Sequence, residues 1–294
     1  MNDKSGLIES VGDAGASTDL WQDIEELPGL QLNQTDGRIR YQKKAGAVIR
    51  LRRPTIWIRH GQTDNNLHKK LNGSRAQPPG SLLNAVGKKQ TAAMAQTLYA
   101  DLVRTLEGDF LWYVKGQKIK VWVSPLTRAQ ETAEAFQQYF YDRIQMDFPQ
   151  EEIPRLSWKV RDELKEHSYG ILDGLNPSSG RDLSNFRPGC RKTYRELGRQ
   201  WRELDSADVK WPAGETFIEG TLRLKVFFEE RSSDPEDGID MTFSHGILGN
   251  SARVLIRDQT LLSPEGDFLA IRNNVLKNGQ PVWLKRPAQT RRAS

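Results

Sequence analysis

Only one cysteine, Cys190, occurs in 294 residues, so neither an internal disulfide nor a cysteine-rich zinc site can form. No apolar run approaches the roughly eighteen residues that a bilayer span requires, and the opening MNDKSGLIESVGDAG lacks a basic n-region and an apolar h-region. Neither membrane insertion nor secretion is expected, and a reducing, cytoplasmic compartment is. A large excess of one charge sign is lacking as well. The 43 basic residues stand against 38 acidic ones, for a net charge of +5. That balance gives little support to bulk nucleic-acid binding and equally suits a few arginines facing a small phosphorylated ligand. What the chain does contain is 37% hydrophobic residues, enough for the core of a large globular domain.

Organisation changes along the chain. Up to Asp36, eight acidic residues face a single Lys4, and the stretch from Arg38 to Arg53 reverses the sign. Residues 1–53 therefore read as an extension, acidic then basic and partly ordered. Trp21, Ile24, Leu27 and Leu30 fall at helical spacing, which predicts a short helix docked on the body, on a partner or on a second copy. A flexible leader is the plain alternative. From Pro54 to Lys285, short apolar runs alternate with amphipathic segments, the pattern of an α/β domain with a largely parallel sheet. Thr55–Ile58, Ile119–Val123 and Ile239–Phe243 read as strands. Ala129, Ala133, Phe136 and Phe140 share one face of a helix, as do Met94, Leu98 and Leu102. Phe268–Arg272 and Val282–Lys285 read as a hairpin around Asn278-Gly279. Residues 175–213 resist a core reading and suggest an inserted cap with a charged helix from Tyr194 to Leu204; residues 286–294 form a basic tail.

Polar groups follow three strand ends at once: Arg59-His60-Gly61, Ser124-Pro125-Leu126-Thr127-Arg128 and Ser244-His245-Gly246. The carboxyl ends of parallel strands share one edge of a sheet, so the three clusters can meet there. Two imidazoles and two guanidiniums without a carboxylate ladder describe an anion pocket rather than a metal site, and phosphate is the natural anion. Ser124 is placed to cap the following helix with Pro125 at its first position, and Thr63 to cap Asp64-Asn65-Asn66. Beside Arg59, His60 is the candidate nucleophile, because neighbouring cations keep its ring neutral. The proton donor for a leaving alkoxide is Glu163 or Glu166. His68 reads as solvent-exposed and Cys190 as an inert thiol. The arginines at 181, 187, 191 and 195 form either a solvated face or an anion-recruiting one.

These motifs resemble those of the histidine phosphatases, which include the cofactor-dependent phosphoglycerate mutases and the fructose-2,6-bisphosphatases. Arg59-His60-Gly61-Gln62-Thr63-Asp64-Asn65-Asn66 is similar to the Arg-His-Gly-x-Ser/Thr-x-x-Asn signature. Ser124 to Ala129 with Glu131-Thr132-Ala133 resembles the second motif, and Ser244-His245-Gly246 the third. Pro212-Ala213-Gly214-Glu215-Thr216 resembles the Pro-x-Gly-Glu-Ser segment. A departure is Asn250, where the family often has an arginine; here Arg253 comes later. The expected fold is a three-layer α/β/α sandwich with a mostly parallel central sheet and an inserted, partly helical cap. The resemblance implies a phosphohistidine at His60, with Arg59, Arg128, His245 and Asn66 around the phosphoryl oxygens. It implies Glu166 as proton donor, four residues before Gly170, and Asn72 and Gly73 in a loop that touches phosphate or substrate. It calls for no cofactor and no metal ion.

The activity this implies is hydrolysis of a small phosphomonoester. The rivals are a mutase, which returns the phosphoryl group to a substrate, and a silent phospho-ligand binding or scaffold protein. The mutases resembled here carry a longer helical insert with clamping arginines, a pattern that residues 175–213 do not reproduce.

Overall fold

The computed structural model describes residues 30–32, 39–41, 49–75, 80–106, 110–116, 118–153, 156, 158–201, 209–256 and 275–287. Two short strands, β1 (Leu30–Leu32) and β2 (Ile39–Tyr41), pair antiparallel with each other. The main sheet contains β3 (Thr55–Arg59), β4 (Ile119–Val123), β5 (Trp158–Val160), β6 (Ile239–Ser244) and β7 (Pro281–Lys285). Its order is β5-β4-β6-β3-β7, with every pairing parallel except that of β7 on β3. Seven α-helices are described: α1 (Asp64–Leu67), α2 (Ala85–Leu106), α3 (Phe110–Lys115), α4 (Thr127–Asp147), α5 (Pro188–Arg199), α6 (Phe217–Ser233) and α7 (Gly246–Leu255). No helix among the described residues is long and apolar enough to cross a membrane.

The alternation of side chains along each strand builds the three layers. Ile56, Ile58, Val121, Val123, Met241 and Phe243 point to one face, where Met94, Leu98 and Leu102 of α2 and Ala133, Phe136 and Phe140 of α4 pack against them. Trp57 and Trp122 point to the other, against Leu224, Phe227 and Phe228 of α6 and Leu248 and Ala252 of α7. A parallel sheet covered on both sides needs such continuous apolar strands. Each large side chain buried this way stabilises the fold by about 1.5–3 kcal/mol. The tryptophan N–H groups are satisfied inside the core: Trp57 Nε1 donates to His245 O at 3.1 Å and Trp122 Nε1 to Asp240 Oδ1 at 2.8 Å.

Several local expectations change. Leu30 stands in β1, not in a helix, and Trp21, Ile24 and Leu27 lie outside the described residues. Ile49 and Leu51 pack on the core, and buried Arg53 pairs with Asp240 and Asp234. Residues 175–213 do contribute a core of their own: Leu183, Tyr194, Val209 and Trp211 are buried with Tyr169 and Leu172. Their apolar residues lie far apart in sequence, which hides the cluster from periodicity. The helix of this region begins at Pro188, six residues before the predicted Tyr194, because Pro suits a first turn that needs no N–H donor. The strand predicted at Phe268–Arg272 and most of the tail lie outside the described residues, while β7 closes the sheet on β3 instead of pairing only within a hairpin.

Candidate active site

The parallel course of β3, β4 and β6 puts their carboxyl ends side by side, and β6 lies between the other two. Arg59 is paired with Ser244, and Val123 with Phe243. The chain leaves each strand under backbone control, with His60 N donating to Ser244 O at 3.1 Å and Ser124 N to Phe243 O at 3.0 Å. His245 therefore sits between His60 and Ser124. Its ring centroid is 5.2 Å from that of His60, and its Nε2 is 2.8 Å from Ser124 Oγ.

His60 is buried, and its tautomer follows from its partners. Nδ1 lies 2.7 Å from Gly61 O, which can only accept, so the ring proton is there. Arg128 Nε, which can only donate, lies 3.2 Å from His60 Nε2. Nε2 thus presents a lone pair. Burial first, then the Arg128 and Arg59 cations, hold the His60 pKa well below its ordinary 6.5, against the opposing bond to Gly61. Burial and the same two arginines, with His60, depress His245 likewise.

The guanidinium of Arg128 is fully buried on α4, and its Nη2 also donates to Asn72 O at 2.9 Å and Gly73 O at 3.0 Å. Burial pushes its pKa down to about 10, with the Glu166 charge opposing, so it is cationic at neutral pH. Arg59 is half-buried and donates through Nη1 to Leu276 O. A Cβ at Gly246 would lie 2.8 Å from Arg59 Nε, so a larger residue at the start of α7 would displace this side chain. Two buried nitrogens at the strand ends, Arg59 Nε and His245 Nδ1, have no hydrogen-bond partner among the described residues. A buried polar group in this state calls for a partner from outside the chain, a water or a ligand. Arg59 Nε is a donor suited to an oxyanion, while the His245 proton rests on whichever ring nitrogen the Ser124 hydroxyl leaves to it.

The two candidate acids separate clearly. Glu163 is held by Arg161, 2.8 Å from its Oε1, and that ion pair keeps its carboxyl below the usual range. Glu166 is buried at the start of α7: Oε1 accepts from His167 N and Leu248 N, both at 3.0 Å, and Oε2 from Ile247 N at 3.2 Å. Helix amides are natural partners for a carboxylate. Arg223 of α6 steadies the chain leading to it, donating to the carbonyls of Glu163 at 2.7 Å and Lys165 at 3.0 Å.

Other expected roles are placed differently. Thr63 caps α1 in a capping box with Asn66, whose Oδ1 also accepts from Asn278 Nδ2 at 3.3 Å. The Asn66 amide oxygen is thus engaged by protein groups. Asn72 turns its side chain to Thr63 and Asn65, and it meets Arg128 through its carbonyl, as Gly73 does. Ser124 does not cap α4. That helix begins at Thr127 with Leu126 as a cap lacking a side-chain bond, and Ser124 serves His245 instead. Arg191 donates to Phe186 O at 2.6 Å, whereas Arg181, Arg187 and Arg195 are exposed. Sequence reasoning missed Asn278, which donates to His60 O at 3.2 Å, and Asp173, which accepts from the backbone of the Asn72–Gly73 loop. The Asn-Gly turn was a signal for the first; nothing local marked the second.

Comparison with known proteins places the chain in a family. A curated relative from Bacillus subtilis (strain 168), the uncharacterized phosphatase PhoE, is 30% identical over 183 residues, covering 61% of this chain and 78% of that protein. Mannitol-1-phosphatase of Eimeria tenella is 29% identical over 154 residues, covering 52% of this chain and 42% of that protein, less than half its length. Among solved structures, a putative alpha-ribazole-5'-P phosphatase from Escherichia coli K-12 shares the fold with a TM-score of 0.50 at 19% identity, over 78% of this chain and 88% of that one. The model of the histidine phosphatase superfamily (branch 1) matches residues 55–262, from the first residue of β3 past the end of α7, and the chain belongs to that superfamily.

Proposed function

We propose that the protein hydrolyses a phosphomonoester of a small metabolite in two steps, through a phosphohistidine on His60. The observation that carries this reading is the lone pair of His60 Nε2, held against the Arg128 guanidinium inside a buried, cationic cup. In the first step Nε2 attacks phosphorus, an N–P bond forms and the P–O bond to the leaving group breaks. Arg59, Arg128 and His245 stabilise charge on the remaining phosphoryl oxygens, and Glu166 protonates the departing alkoxide. In the second, water attacks the phosphohistidine and Glu166 takes its proton, which regenerates the free imidazole and releases phosphate. The relative named mannitol-1-phosphatase supports a small phosphorylated metabolite as substrate.

The test is phosphate release from a panel of phosphorylated sugars, sugar alcohols, glycerates and nucleotides, in the presence of a chelator. Wild type should turn over one class, and His60→Ala should fall to background. Labelled substrate should leave an acid-labile, base-stable adduct on wild type alone. Full activity in His60→Ala removes the proposed nucleophile. Transfer of the label to an added hydroxy acid faster than to water identifies a mutase.

A further inference from the structure

The short loop after α1 is held by its backbone from two sides. Its carbonyls at Asn72 and Gly73 accept from Arg128 Nη2. Its amides face the opposite direction, toward the segment that follows Glu166. Leu71 N donates to Leu175 O at 2.9 Å and Ser74 N to His167 O at 3.2 Å. Two more reach one side chain: Gly73 N donates to Asp173 Oδ1 and Arg75 N to Asp173 Oδ2, both at 2.8 Å. A Cβ on residue 73 would lie 2.1 Å from Asp173 Oδ1, so only glycine lets the carboxylate reach this peptide.

We propose that Asp173 is a positioning residue for the phosphoryl pocket: its carboxylate clips the loop from behind, so that the Asn72 and Gly73 carbonyls hold Arg128 in the plane that meets His60. The inference rests on the phosphatase reading for its effect on rate, while the clip itself does not. An ionised carboxylate accepts both amides. A protonated one turns a hydroxyl donor toward one of them and loses that bond. Burial pushes the Asp173 carboxyl up to about 6, against the pull of the two amides and of Arg128. The other charged or titratable groups that face it are Arg75, whose Nη1 donates to Gly170 O at 3.3 Å, and the buried Tyr169 hydroxyl. Neither is expected to titrate near pH 6, since Arg stays charged and burial raises Tyr169 well above its ordinary value. His60 and His245 are held neutral in that range, so their protonation does not compete with that of the clip.

Asp173→Asn mimics the protonated clip at constant size. With 4-nitrophenyl phosphate as probe, wild type should show an acid limb in kcat with a midpoint near pH 6. In the variant kcat should fall about ten- to a hundredfold at pH 7.5, the scale of a misplaced catalytic group. KM should change less, and the limb near pH 6 should disappear. Ionisation of the probe is common to both proteins and cancels in the comparison. Amide hydrogen exchange over residues 71–75 should be slow in wild type and fast in the variant, with α4 equally protected in both. An acid limb that persists in Asp173→Asn, or equal protection of residues 71–75 in the two proteins, overturns the proposal. The exchange measurement needs no turnover: a chain without His60-dependent hydrolysis removes the phosphatase reading and leaves the clip to be decided by exchange alone.

Discussion

An arginine that donates to two peptide carbonyls and an imidazole has its plane set from three directions, and Arg128 is in that position. A lysine there keeps the charge but loses the fork, since an ammonium cannot span the same acceptors in one plane. Arg128→Lys is therefore expected to lower kcat/KM by about 10²- to 10³-fold, the scale of losing one oriented oxyanion donor. Steady-state kinetics on the preferred substrate of the panel checks this, and a loss below threefold contradicts the assigned role. A second expectation concerns the nucleophile itself. Because burial and two cations depress its pKa, His60 remains neutral well below pH 6.5. The ring should show no titration between pH 8 and 6 when its carbon-bound proton resonances are followed by NMR, and a shift in that range contradicts the assigned neutral state.

Among the elements, α6 and α4 begin in contrasting ways. Thr216 and Glu219 form a reciprocal capping box on α6, with Glu219 N donating to Thr216 Oγ1 at 3.1 Å and Thr216 N to Glu219 Oε2 at 2.6 Å. Thr216→Ala should cost about 1 kcal/mol of stability. The start of α4 has no side-chain cap, and its attachment comes from packing, with Ala129, Ala133, Phe136 and Phe140 buried against the sheet. Phe140→Ala should cost about 3–5 kcal/mol through lost burial and the cavity left behind. Urea unfolding followed by tryptophan fluorescence compares the two, and equal losses contradict the division between capping and packing. Element identity was readable where apolar spacing is regular, as in α2, α4 and the three strands preceding the motifs. It was not readable in residues 175–213, where Leu183, Tyr194 and Trp211 reach one cluster from separate turns.

At the scale of the whole molecule, three of the four histidines are buried, and their charged forms are disfavoured. His60 and His245 lie well below the ordinary value, and burial brings His167 down to about 4. The unfolded chain takes up protons near pH 6.5 that the native state refuses, so this contribution to stability is complete above 6.5 and declines as pH falls toward the native values. Each pH unit in that window is worth about 1.4 kcal/mol per fully buried histidine. Asp173, raised to about 6, acts in the opposite direction and partly offsets the loss. The urea midpoint should therefore fall between pH 7 and pH 5, and His167→Gln should flatten the fall; parallel curves for the two proteins contradict the account. Sequence by itself determined the order of the motifs and the edge on which they meet, because apolar runs that end in Arg-His, Ser-Pro and Ser-His can only deliver those groups to the carboxyl ends of parallel strands. Tertiary structure alone decided the proton position on His60, the burial of Glu166 among the amides of α7, the pairing of Ser124 with His245 and the hold of Asp173 on the loop. Each of these depends on a backbone carbonyl, a backbone amide or a residue distant in the chain, and such partners leave no mark in the order of side chains.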